Sequence, residues 1–296
     1  MRSITLYGTE IKSDIEFDLD FSDDTEVRYE LDLSSNPPSH IEESITCGFL
    51  LYHAHGRKVY LYSDRIFDGS DAGQPWCYEV KDIVRFYWTG GERSIYYELD
   101  EKGDISLLSF WFTHLLLPLY ITLENMYDFL HAGAVEVEGK AILFIAPSMG
   151  GKSTMTDYFI QQGHTLISDD KVATFIKDDN FMAVGSHPYH RPYREFEDLG
   201  YRVEDFATSF KPIHLFYELK GVDGDADITI EEIKGYQKFD TLLPNYLYSF
   251  SYLRPFRLKY LSGMLNNTKV FRVEVPWSMK RLGEVYDMIC EHGGGH

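Results

Sequence analysis

The stretch FIAPSMGGKSTMTDYFIQQGHTLISDD, residues 144 to 170, decides the fold. Its first residues end AILFIA (141–146), a continuous apolar run of the kind a strand buried on both faces uses. With the residues before it, AVEVEGKAILFIA (134–146) reads as two strands turning at Glu138-Gly139. The loop APSMGGKST (146–154) fits the pattern G-x-x-x-x-G-K-[ST], except that Ala146 stands at the first glycine, and alanine avoids positive φ. Gly150 and Gly151 let the chain wrap inward so that successive backbone N–H groups converge on phosphate oxygens at the start of a helix near Lys152. The candidate nucleotide-binding residues are therefore Ser148, Met149, Gly150, Gly151, Lys152, Ser153 and Thr154. In this pattern Lys152 is a point charge for the β- and γ-phosphates and Ser153 a hydroxyl for Mg²⁺.

The next residues give the loop its context. KSTMTDYFIQQ (152–162) is a helix-length segment closed by Gly163, and HTLISDD (164–170) returns as a short strand. A right-handed connection is expected to lay that strand beside AILFIA in a parallel sheet, with Asp169 and Asp170 at the same edge as the phosphate loop. One carboxylate suits Mg²⁺ and the other suits proton acceptance from an incoming hydroxyl.

Working outward, the chain of 296 residues is 44% hydrophobic, enough for two ordinary domains. A formal net charge of -19 repels phosphate backbones and anionic lipid, which argues against nucleic-acid and membrane-surface partners. Cys47, Cys77 and Cys290 fall at no metal-like or paired spacing, and the amino-terminal MRSITLYGTEIKSD lacks the parts of a secretory signal. A cytoplasmic protein with reduced thiols is expected. The segment ISLLSFWFTHLLLPLYITL (105–123) reaches the length of a membrane span, but its polar residues and the absence of a Lys/Arg bias at its flanks read as a buried helix.

Residues 1 to 125 carry short runs rich in Tyr, Phe, Ile and Val between turn formers, and are expected to form a β-rich, mainly antiparallel domain ending in that helix. Period-two alternation in IEFDLDF (15–21) reads as a half-buried strand, with its acids on a solvated face rather than at a cation site.

The combination of His131 in LHAGAVEVEGKA (130–141), GGKST (150–154) and QGHTLISDDKV (162–172) resembles the HPr kinase/phosphorylases and their shorter relatives, over residues 128 to 175. The resemblance implies an α/β, carboxykinase-like P-loop kinase core over 126–296, using ATP or another NTP with Mg²⁺. It implies transfer of the γ-phosphoryl group to a serine of a peptide or protein substrate. By the same analogy Asp169 is the general base, assisted by His131, while Asp170 and Ser153 serve Mg²⁺. Thr154 stands where members with both activities carry Glu, so phosphorylase activity is not implied. The layout, a β-rich front followed by an apolar helix, is closer to relatives found beside ribosomally made peptides, including lasso-peptide precursor kinases. A homo-oligomer is compatible with this reading.

Outside the core, SHPYHRPYREFEDLG (186–200) gathers His187, His190, Arg191 and Arg194 in a segment read as a loop. Arg191 is the candidate second cation for the transferring group. No third ligand follows His187 and His190 at metal spacing. HLFYELKGVDG (214–224) reads as a strand and turn. A kinase of small hydroxylated molecules and an NTP-hydrolysing regulator are the alternative readings of the same loop.

Overall fold

The computed structural model describes residues 2–17, 25–191 and 197–294. The chain divides into two compact units: Met1–Met126 with Arg194–Leu199 and Ser249–Arg254, and the remainder.

The first unit is built on an eight-stranded sheet. Its strands are β1 (Arg2–Leu6), β2 (Thr9–Ser13), β3 (Tyr29–Ser35), β4 (Cys47–Ala54), β5 (Arg57–Ser63), β6 (Pro75–Val80), β7 (Val84–Thr89) and β8 (Ser94–Leu99), in the order β1-β2-β3-β8-β7-β6-β5-β4. A short helix α1 (Ser39–Ser44) connects β3 to β4. All neighbours are antiparallel except β2–β3 and β3–β8. Aromatic residues fill the face: Trp76 on β6 stacks on Trp88 on β7, with ring centroids 5.9 Å apart.

Residues 105–123 are helical, and 78% of the most apolar window is buried, as an all-round apolar helix in a core should be. The helix is not uniform. The carboxylate of Asp104 accepts the Leu107 N–H at 2.8 Å and caps α2 (Ile105–Trp111), a π turn spans Phe112–Leu116, and α3 (Leu117–Leu123) completes it. Pro118 has no N–H to continue the α ladder, and the π turn sits just ahead of it.

The strand expected over 15–21 does not start where the alternation begins. Ser13 Oγ accepts the Ile15 N–H at 3.1 Å and turns the chain, so β2 ends at Ser13 and Ile15 to Phe17 lie outside any strand. Phe17 is buried all the same, 5.7 Å from the Phe112 ring. Residues 18–21 lie outside the described residues.

The second unit is a nine-stranded sheet with helices. Its elements are β9 (Asp128–Leu130), β10 (Gly133–Val137), β11 (Lys140–Ile145), α4 (Lys152–Gln161), β12 (Thr165–Ser168), β13 (Val172–Lys177), β14 (Asn180–Val184), β17 (Lys211–Val222), β18 (Thr229–Ile233) and β19 (Lys269–Pro276). The two-residue strands β15 (Tyr189–His190) and β16 (Tyr201–Arg202) pair with each other, and α5 (Tyr236–Leu242), α6 (Arg254–Asn267) and α7 (Leu282–Gly294) complete the unit. The main path is β12-β10-β11-β17-β14-β13-β9, with β19 parallel to β17 and β18 antiparallel to β19.

Strand β11 is buried on both faces, as its unbroken apolar run requires. Leu143 and Ile145 join one core cluster, and Ile142 and Phe144 the other. Glu138 and Gly139, at φ 51 and φ 79, make the tight turn expected between β10 and β11. That hairpin changes the predicted order. Strand β12 does not lie beside β11, because β10 occupies that edge and β17 the other; β12 pairs antiparallel with β10 instead. Both β11 and β12 are antiparallel to β10, so they still run in the same direction and end at the same sheet edge.

Candidate functional site

The loop after β11 is shaped by where its backbone turns left-handed. Gly150 N–H donates to Pro147 O at 2.9 Å, closing a turn whose left-handed residue is Met149, at φ 63. Gly151, at φ 89, caps α4, and the first intrahelical bond runs from Met155 N–H to Gly151 O at 2.9 Å. Ala146 stays at negative φ, so a glycine is not needed there. Gly150 is needed. A Cβ on it would lie 2.8 Å from Ala146 Cβ and 2.9 Å from Pro147 O. The absence of that atom is what lets the loop close into a cradle, and the first turn of α4, including Ser153 and Thr154, turns its N–H edge toward it.

Lys152 is buried, and its ammonium donates to Ala146 O at 2.7 Å and to Pro147 O at 3.2 Å. Ser148 and Met149 form the outer turn of the loop, with Met149 exposed. At the far end of α4, His164 N–H donates to Phe159 O and Gly163 N–H to Ile160 O, with Gly163 at φ 90. This pair of hydrogen bonds is the glycine stop that the sequence announces, and it sends the chain back as β12.

After β12 the chain reverses sharply, with Asp170 at φ 69 and Ser168 Oγ donating to Lys171 O at 2.7 Å. The turn aims the two carboxylates differently. Asp169 Oδ1 accepts from Ser153 Oγ at 3.3 Å, bringing the acid to the first turn of α4 and the loop before it. Asp169 Oδ2 lies 2.9 Å from His190 Nδ1, and His190 Nε2 lies 3.5 Å from Asp157 Oδ1, neither nitrogen being aligned for a hydrogen bond. Asp170 Oδ1 lies 3.2 Å from His131 Nε2, and Asp170 Oδ2 accepts from Lys171 Nζ at 3.1 Å. His131 thus lies against Asp170.

The segment 186–191 is not a surface loop. His187, His190 and Arg191 are buried, and His190 belongs to β15. Pairing of β15 with β16 draws it inward, and Gly200, at φ 87, allows it: a Cβ there would lie 2.1 Å from His190 O and 2.9 Å from Arg191 Cα. Burial pushes the His187 imidazole down to about 4; the Asp169 charge pulls it up less strongly, and Lys171 and Arg191 push it further down. His187 is therefore neutral near pH 7, while Arg191 beside it keeps its charge. Arg194 lies outside the described residues.

Sequence reasoning missed Asp157, His190 as a neighbour of Asp169, and Lys171. Asp157 had a signal: Ser153 and Asp157 are four apart on α4 and so share a face. His190 had none, since only the β15–β16 pairing carries it to Asp169. Among the described residues no three His, Cys, Asp or Glu side chains are gathered as a metal cluster.

No family model matches the sequence, and no curated protein matches it either. Among solved structures, the HPr(Ser) kinase/phosphatase from Coxiella burnetii is similar over 55% of this chain and 95% of that one, at 12% identity and a TM-score of 0.35. This is a distant structural likeness to a kinase/phosphatase.

Proposed function

We propose that this protein is a kinase that uses ATP, or another nucleoside triphosphate, with Mg²⁺ to phosphorylate a serine hydroxyl of a peptide or protein. One observation carries the reading: the glycine-built loop and the carboxylate of Asp169 meet in one place, 3.3 Å apart at Ser153 Oγ. A binding element for phosphate and a proton acceptor are thereby joined.

The residues present fit the group. Gly150 leaves the cradle open, Lys152 supplies a cation, and Ser153 and Asp170 are the hard oxygen donors that Mg²⁺ takes together with phosphate oxygens and water. When bound through Ser153 and Asp170, Mg²⁺ would supply neutralisation of charge on the phosphates. Lys152 leaves its two loop carbonyls for the β- and γ-phosphates. The acceptor oxygen forms a bond to the γ-phosphorus as the bridging β–γ P–O bond breaks, and the acceptor proton passes to Asp169.

Asp169 is favoured as the base by the company each acid keeps. Asp170 is already paired with the Lys171 ammonium and the His131 ring, so a proton arriving there would break an ion pair. Asp169 faces a hydroxyl and an imidazole. His131 supports the base indirectly, by holding Asp170. Arg191 is the permanent cation available to the transferring group, since His187 is neutral at the working pH.

Incubation with γ-labelled ATP and Mg²⁺, with and without the products of neighbouring genes and followed by mass spectrometry, tests the reading. Label on a seryl group of a polypeptide is expected. Label found only in inorganic phosphate would sink the kinase, and label in a small molecule would correct the acceptor.

A further inference from the structure

A cleft of about 180 Å³, open to solvent, begins where the phosphate loop ends. Gly150, Gly151 and Thr154 form one wall, and the segment from Val275 to Met279, between β19 and α7, forms the other. No charged side chain lines it, so it does not suit a phosphate, a carboxylate or a cation. Its prominent feature is Trp277, an indole 65% exposed, whereas Trp76, Trp88 and Trp111 are buried. The indole rests on β17 at Gly221, where a Cβ would lie 3.1 Å from Trp277 Cε3. A side chain at position 221 would lift the ring.

The wall is held in place by its own bonds. Trp277 N–H donates to Val222 O at 3.0 Å, and Ser278 N–H to Pro276 O at 2.7 Å. Arg281 ties the following turn down by donating to the carbonyls of Gly224 and Ala226. A large aromatic face is therefore fixed in position with water against one side, beside the apolar lining of the cleft, where a planar ligand can cover it.

We infer that this cleft seats the nucleobase of the bound nucleotide, with the base stacked on Trp277. The inference rests on the phosphate-loop reading above and adds the part of the ligand that loop does not touch. Continuity supports it: Gly150 and Gly151 belong to both the loop and the cleft, so a ligand whose phosphates lie in the cradle extends directly between the two walls. The chemistry supports it as well. A nucleobase is planar and uncharged, its face is sequence-tolerant in stacking, and its edge asks for few polar partners. Here Ser278 and Thr154 supply the polar side chains. With so few edge contacts, ATP and GTP should bind within a few-fold of each other, and both more tightly than the smaller-ringed CTP.

The test is calorimetric titration of the full chain, without any acceptor, with Mg²⁺–ATP and with Mg²⁺–tripolyphosphate, which has no base. In wild type, ATP should bind more tightly than tripolyphosphate. Trp277→Ala should weaken ATP about 5- to 150-fold, the range that base–aromatic stacking covers, and leave tripolyphosphate unchanged. Trp277→Phe, which keeps a flat ring, should recover most of the ATP affinity. Unchanged ATP binding in Trp277→Ala overturns the seat, and so does an equal loss for both ligands, which would make the indole a prop for the loop. Wild type binding tripolyphosphate as tightly as ATP leaves the loop reading standing and removes the base seat. Wild type binding neither ligand removes both.

Discussion

The burial of His187 fixes a pH dependence of folding that can be worked out from the structure. Its imidazole is pushed down to about 4, chiefly by loss of water around the ring. The unfolded chain has the ordinary value near 6.5. Between these two values the unfolded state binds the proton and the folded state does not, so stability must fall as pH is lowered through that window. The gap converts to about 3 kcal/mol, nearly all of it lost between pH 6.5 and 4. Because the ring is enclosed, solvent screening removes little of this. The facing charges are those of Asp169, Lys171 and Arg191. His187→Gln keeps a polar side chain able to accept the Tyr189 N–H that His187 Nδ1 accepts now, and cannot gain a proton. Urea unfolding of both proteins at a series of pH values, with hydrogen exchange on peptides from β10–β12 to follow the second unit, measures the difference. Wild type should lose about 3 kcal/mol relative to the variant on going from pH 7 to pH 4. Parallel profiles would refute the reasoning, because they would mean that the buried ring carries its proton in the folded protein too.

Three further outcomes are expected. Lys152→Ala should sharply weaken nucleotide binding without unfolding the protein, because the ammonium serves two loop carbonyls and little packing; equilibrium binding checks this. Gly150→Ala should cost about 1–3 kcal/mol, read as a loss of nucleotide affinity, because the new methyl would meet Ala146 Cβ at 2.8 Å. Asp169→Asn should keep nucleotide binding and lower single-turnover transfer about 10²- to 10⁴-fold, whereas Asp170→Asn should raise the Mg²⁺ requirement; transfer by both variants at the wild-type rate would remove the carboxylates from the chemistry.

The local features of the second unit were legible because each is written in a short stretch. The apolar run makes β11, the Glu138-Gly139 pair makes the turn before it, the glycines shape the loop, and Gly163 stops α4. Pairing partners are a different matter. A β-loop-α-β segment states the direction of its two strands but not which strand lies between them, and β10 entered that gap because its two-residue turn already tied it to β11. In the first unit, alternation over 15–21 suggested a strand, but the Ser13 hydroxyl turns the chain and Ile15 to Phe17 lie outside any strand. Period two shows which residues share a face, and the hydrogen bond that ends a strand can belong to a single polar side chain ahead of it.

The candidate site divides along the same line. Lys152, Ser153, Asp169 and Asp170 could be picked out because a helix start and a strand end each give a residue a place in the sheet edge from local sequence alone. Their partners could not. His190 reaches Asp169 through the β15–β16 pair, and Arg191 and His187 are buried beside it, in a segment whose prolines and tyrosines read as a loop. Trp277 is farther still from the loop in sequence and arrives only because β19 lies parallel to β17, which in turn lies parallel to β11. Three parallel strands end at one edge, and the segments that leave the outer two border the same space: the loop after β11 and Trp277 after β19. The cleft and the loop are thus neighbours for one topological reason, the ends of parallel strands at one sheet edge.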